Sequence, residues 1–86
     1  MHTPEQIKKQ IQDICHNIVG NRPEPDDNLR FDAGMDSLDH IEMIVEIEKA
    51  YDINISDEDT DRIRTLQQGI DVVDKLLKEK GREKNL

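Results

Sequence analysis

Ser37-Leu38-Asp39-His40-Ile41-Glu42-Met43-Ile44-Val45-Glu46-Ile47-Glu48-Lys49-Ala50-Tyr51 is the stretch on which the fold turns. Its eight apolar positions, Leu38, Ile41, Met43, Ile44, Val45, Ile47, Ala50 and Tyr51, are more than one core-facing stripe needs. At about 100° per residue, Met43, Ile44, Ile47, Ala50 and Tyr51 fall in one arc, and Leu38, Ile41 and Val45 in another nearly opposite. The larger arc predicts a core face. The smaller has Asp39, Glu42 and Glu46 on one side and Glu48 on the other, so it predicts an exposed apolar strip rimmed with carboxylates, of the kind that docks a partner. A helix buried on most of its sides would carry the same apolar count; the flanking acids favour the strip, because ionised side chains are rarely taken fully inside. Asp36, immediately before this stretch, is its expected N-cap.

Outward from this helix, the punctuation of three more is legible. Thr3-Pro4-Glu5-Gln6 is a capping box with proline at the first helical position, and Ile7, Ile11, Ile14, Cys15 and Ile18 follow on one helical face. Gly20-Asn21, Pro23 and Pro25 end that helix and begin a long loop reaching about Met35. Ser56 with Asp59 predicts a short third helix near 57–63. Thr65 with Gln68 is a second capping box, opening a last helix with Ile70, Val73, Leu76 and Leu77 inward and an end by Gly81. The one strand-like stretch, Ile53 to Ile55, is too short to found a sheet. The expected fold is all-α: four helices, a long loop between the first two, and a short third helix.

Length and charge bound the function. Eighty-six residues hold one domain, expected over 1–86 with a helical core at about 3–80 and a flexible tail at 81–86. Twenty Asp and Glu against twelve Lys and Arg give a net charge of -8, which disfavours nucleic acid and anionic membrane and favours basic partners. Residues 21–61 hold fourteen of the acids and three of the bases, so the negative field is concentrated around the second helix. One cysteine, Cys15, cannot close an internal disulfide, and no signal peptide or long apolar run is visible. A cytoplasmic monomer is the expectation.

At the head of the second helix stands Asp32-Ala33-Gly34-Met35-Asp36-Ser37-Leu38-Asp39. Here the chain resembles the acyl carrier protein family, whose usual motif is Asp-Leu-Gly-x-Asp-Ser-Leu. The resemblance continues through the acidic helix, the exit Tyr51-Asp52-Ile53-Asn54-Ile55, the turn Ser56-Asp57-Glu58-Asp59 and Ile63-Thr65-Leu66, and is strong over 29–79. It implies a four-helix bundle in which Ser37 is esterified by 4′-phosphopantetheine from coenzyme A. Acyl groups would be held as thioesters at the far end of that arm, so the chain itself would supply no catalytic residue. The implied partners are a phosphopantetheinyl transferase and acyl-transfer, condensing and reducing enzymes. Their basic patches would meet Asp36, Asp39, Glu42 and Glu48, with apolar contact at Leu38, Ile41 and Val45. The cargo would lie against Met43, Ile44, Ile47 and Ile63 or swing into a partner. The Asp-Ser-Leu-Asp context is closer to fatty-acid carriers than to peptidyl carriers; a specialised carrier for a polyketide or aminoacyl pathway is the alternative. Asp36 and Ser37 are also ordinary capping residues, so an unmodified scaffold subunit stands as another class.

Other residues invite different chemistry. His40 is three positions after Ser37 and could share its side of the helix, but no orienting carboxylate or oxyanion site is identifiable, and a place on the docking surface is expected instead. Cys15 reads as a small core residue. Asp57, Asp59 and Asp61 reproduce the first alternating ligands of a calcium loop. Arg62 then stands where glycine is required and Gln68 where a bidentate Glu is required, so no dedicated metal site is expected, only weak divalent binding. Ala33, where the family has Leu, fills less of the core, and Phe31 is expected to pack inward in compensation.

Overall fold

The computed structural model describes residues 2–84, with side chains through residue 81. Four helices are present: α1 (Pro4–Val19), α2 (Ser37–Tyr51), α3 (Asp57–Arg62) and α4 (Leu66–Lys84). Among the described residues there is no strand, only an isolated antiparallel bridge between Asn28 and Thr65. Each start is fixed by the cap its sequence provides. Thr3 and Gln6 exchange hydrogen bonds of 3.2 and 3.0 Å at α1, Asp36 and Asp39 do the same at α2, and Ser56 Oγ accepts from Asp59 N at α3. At α4, Thr65 Oγ1 accepts from Gln68 N at 3.2 Å while Gln68 Oε1 accepts from Thr65 N at 3.0 Å. Such reciprocal bonds satisfy amides that have no intrahelical acceptor. Gly20 closes α1 in the left-handed conformation, φ 82°, where a residue without Cβ is free of strain.

The core is largely aliphatic and built from α1, α2 and α4 with the loops between them, while α3 buries only Asp59. Ile7, Ile11, Ile14 and Cys15 from α1 meet Met43, Ile44, Ile47 and Tyr51 from α2 and Ile70, Val72 and Val73 from α4, with Leu76 and Leu77 packed against them. α1 lies against both α2 and α4. The loop from Gly20 to Asp36 is tied down rather than loose. Gln12 donates to Pro23 O at 2.9 Å, Gln67 N to Pro25 O at 3.0 Å and Leu29 N to Arg64 O at 2.9 Å, while Leu29, Ala33 and Met35 insert into the core.

Three expectations are corrected. α4 runs through Gly81 to Lys84 instead of ending by Gly81; of the tail expected at 81–86, residues 85 and 86 lie outside the described residues. Ala50 is exposed, because the α1 residues beside it, Gln6, Lys9, Gln10 and Asp13, are polar and the apolar cover stops short of it. Phe31 points outward and is 81% exposed. A turn closed by Asp32 N and Ala33 N on Asn28 O, with Arg30 N and Phe31 N both donating to Asn28 Oδ1, gives the inward places to Leu29 and Ala33 and leaves Phe31 on the outside, 5.8 Å from the Arg30 guanidinium carbon.

Candidate functional site

Asp36 has extended backbone angles, and its side chain caps α2, so Ser37 becomes the first helical residue and is exposed. The N–H groups of Ser37 and Leu38, which have no intrahelical acceptor, lie at the positive end of the helix dipole. An anion joined to the Ser37 hydroxyl would be stabilised there by about 0.3–1 kcal/mol. The turn before it depends on Gly34, whose φ of 79° is in the left-handed region, and on Met35, buried and donating to Leu29 O at 3.0 Å. The Asp-Ala-Gly-Met-Asp-Ser order thus has a local meaning: a buried Ala, a left-handed Gly, a buried Met, a cap and an exposed serine.

The two faces of α2 separate as the periodicity requires. Met43, Ile44 and Ile47 are buried, while Leu38 is 76%, Ile41 57% and Val45 39% exposed. Asp36 and Glu42 are exposed and Asp39 is half-buried beside the strip. Glu48 is half-buried and also structural: its Oε2 accepts from Ile55 N at 2.8 Å and ties the loop after α2 to the helix. Of the residues expected to contact cargo, Met43, Ile44 and Ile47 are packed in the core. Ile63 is buried too but reaches an open groove of about 600 Å³ beside Ser37. That groove is walled by Leu29, Phe31, Met35, Ile41 and Ile63 and bordered by Arg30, Arg64, Asp36 and Asp61.

His40 is not free on the docking strip. It is half-buried, and its Nε2 stands 3.2 Å from Thr60 O, bridging α2 to α3. A carbonyl oxygen only accepts, so Nε2 is the donor in this contact. The imidazole is therefore engaged with α3 and not with the Ser37 hydroxyl, which leaves a Ser-His pair without geometric support. Asp59, the centre of the calcium-loop resemblance, is only 7% exposed and faces two cations, Lys75 at 3.4 Å and Arg62 at 3.3 Å. Its charge is answered from within the chain. Cys15 is fully buried, 3.6 Å from the Met43 sulfur, and burial pushes its thiol up to about 11, so it is inert near neutral pH. Sequence reasoning missed the cationic border of the groove, because Arg30 and Arg64 are distant in the chain and meet only through the Leu29–Arg64 and Asn28–Thr65 backbone contacts.

No described helix is long and apolar enough to cross a membrane. Residues 5–73 match the phosphopantetheine attachment site family. A protein named acyl carrier protein from Chlorobium phaeobacteroides is 40% identical over 74 residues, covering 83% of this chain and 95% of the relative. Those of Chlorobium phaeovibrioides, at 38% over the same shares, and Syntrophobacter fumaroxidans, at 40% over 87% of this chain and 93% of the relative, carry the same name.

Proposed function

The chain belongs to the acyl carrier protein family, and on that premise we propose that Ser37 is the residue bearing its phosphopantetheine arm and that the cargo is drawn from fatty acid synthesis. It is a carrier rather than a catalyst, and 4′-phosphopantetheine is its covalent cofactor. The observation that carries the assignment to Ser37 is its placement: an exposed hydroxyl on the first helical residue, behind a structured turn, with two unpartnered amides at hand. The residues fit the group, since a phosphodiester finds there a positive helix end and no buried obstacle.

When bound, the arm supplies a terminal thiol on which an acyl group rides as a thioester. The chain's own residues do the rest. Asp36 and Asp39 fix the first turn and hence the direction in which Ser37 projects. Leu38, Ile41 and Val45, with Asp36, Asp39, Glu42 and Glu48, offer a partner enzyme apolar contact inside a negative rim. Complementarity of that kind speeds encounter and gives salt-sensitive, short-lived complexes, which suits a carrier that serves a transferase and then acyl-transfer, condensing and reducing enzymes in turn. Met43, Ile44, Ile47 and Ile63 form the aliphatic interior against which cargo would lie, with Ile63 at the entrance. The whole chain acts as one carrier domain in the cytoplasm. The preference for fatty acyl cargo rests on the Asp-Ser-Leu-Asp context.

The test is phosphopantetheinylation in vitro with coenzyme A and a broad-specificity transferase, followed by intact mass measurement. One addition to the wild type and none to Ser37→Ala is the expected result. An addition that survives Ser37→Ala would move the attachment site elsewhere.

A further inference from the structure

Charges of two signs meet around Ser37, and they are segregated. Asp36, Asp39 and Glu42 lie beside the exposed apolar strip of α2. Arg30 and Arg64, both exposed, border the groove next to Ser37 from the loops before α2 and after α3. Among the described residues Arg22 pairs with Asp13 and Arg62 with Glu58 and Asp59, whereas Arg30 and Arg64 are in no ion pair. Even Asp36 and Asp61, which line the same groove, are in ion-pair contact with neither. The two cations form one ledge, because Leu29 N donates to Arg64 O at 2.9 Å and Asn28 bridges to Thr65. Phe31, 81% exposed, completes it, its ring centre 5.8 Å from the Arg30 guanidinium carbon. Arginine and aromatic side chains are the types that dominate binding energy once a partner covers them.

We propose that Arg30, Arg64 and Phe31 are a second docking contact of opposite sign to the α2 strip, and that its occupant is an acidic spot on a partner enzyme, set beside the basic patch that meets α2. The inference rests on Ser37 as the attachment residue and on the α2 strip as the first contact. Charge complementarity carries it. A partner surface that is basic throughout is drawn to Asp36, Asp39 and Glu42 but repelled wherever it reaches the ledge. Covering two guanidiniums without an anion leaves both charges desolvated and unpaired, which the apolar contact at Phe31 does not offset. A carboxylate facing the ledge answers both objections. The arrangement also fixes direction. A patch of one sign attracts a partner without setting its rotation about the contact, whereas two patches of opposite sign admit one rotation, and Ser37 lines the groove that lies between them. The ledge therefore selects enzymes that carry the acid and discriminates against those that carry only a basic patch.

The test uses the full chain and the malonyl transferase of its own organism as the probe. Each variant is first loaded with coenzyme A and a broad-specificity transferase, and intact mass confirms the addition at Ser37; failure at that step counts against the attachment reading, not against the ledge. Malonyl transfer is then measured against carrier concentration. Arg30→Glu/Arg64→Glu alters only exposed side chains, keeps the backbone bonds of both segments and makes an acidic chain more acidic. Its KM is expected to rise at least about ten-fold with kcat within about two-fold, and Arg30→Lys/Arg64→Lys, which keeps both charges, should lie between it and the wild type. A uniformly basic partner predicts the opposite sign, so an unchanged or lowered KM in the reversed variant would overturn the proposal. Glu42→Lys, run in parallel, reports on the α2 strip: a raised KM there without one at the ledge overturns the second contact alone, and no rise at Glu42→Lys overturns the docking face on which it rests.

Discussion

Replacing isoleucine by alanine on either face of α2 separates a core residue from a docking residue by magnitude. Ile47 is fully buried, so Ile47→Ala forfeits the transfer energy of three carbons, about 2.4 kcal/mol at about 0.8 kcal/mol each. The cavity left in the core brings the loss to about 3–4 kcal/mol. Ile41 is 57% exposed, and alanine is the better helix former by a few tenths of a kcal/mol, so Ile41→Ala is expected to cost about 0–1 kcal/mol. Domains of this size have a total stability on the order of 4–13 kcal/mol, so the first change is severe and the second slight. Urea unfolding followed by far-ultraviolet circular dichroism reads both. With a slope of about 1–2 kcal/mol per molar, Ile47→Ala shifts the midpoint down by about 1.5–4 M and Ile41→Ala by no more than about 1 M. Should Ile47→Ala fail to fold, Ile47→Val, expected to cost about 0.5–1.5 kcal/mol, is compared with Ile41→Val, expected to cost less than about 0.5 kcal/mol. Equal losses at the two positions would refute the division of α2 into a core face and a docking face.

The remaining expectations probe the caps, the turn, the buried thiol and docking. Asp36→Ala removes a cap and is expected to cost about 1 kcal/mol, whereas Ser37→Ala, beside it on an exposed surface, should stay within about 0.5 kcal/mol while abolishing arm attachment; thermal melts and intact mass distinguish them. Gly34→Ala forces a Cβ into a backbone of φ 79° with open space around it, so its cost of about 1–2 kcal/mol is purely conformational, and Gly34→Asn should cost less. The Cys15 thiol ionises near 9.0 when unfolded and only at about 11 when folded, so above pH 9 the unfolded chain loses its proton first. Its contribution is whole below pH 9 and is lost as pH rises toward 11, a decline of about 2–3 kcal/mol that Cys15→Ala should remove. Tyr51, raised in the same direction by burial, leaves a smaller decline in that variant. Titration of the loaded protein with a partner enzyme should weaken steeply between low and high salt, and Glu42→Lys should flatten that dependence without changing the melting temperature by more than a few degrees.

Sequence alone determined the helix starts, because each is written in local chemistry. Thr3 with Gln6, Asp36 with Asp39, Ser56, and Thr65 with Gln68 satisfy amides within one turn and need no help from the rest of the chain. It determined the two faces of α2 as well, since helical period and ionisation cost act on every sequence alike, and Ser37 stood out through its resemblance to a family motif. The end of the last helix and several side-chain destinations were decided elsewhere. α4 continues past Gly81, and Ala50 emerges because α1 turns polar opposite it. Phe31 is left outside because one turn has only so many inward places, and Leu29 and Ala33 hold them. His40 reaches a carbonyl on α3 rather than the surface. Arg30 and Arg64 share a groove only because backbone contacts join two distant segments. Local bonds are short-range and can be read along the chain; who covers an apolar side chain, and which charge meets which, depends on residues far away in sequence, and only packing settles it.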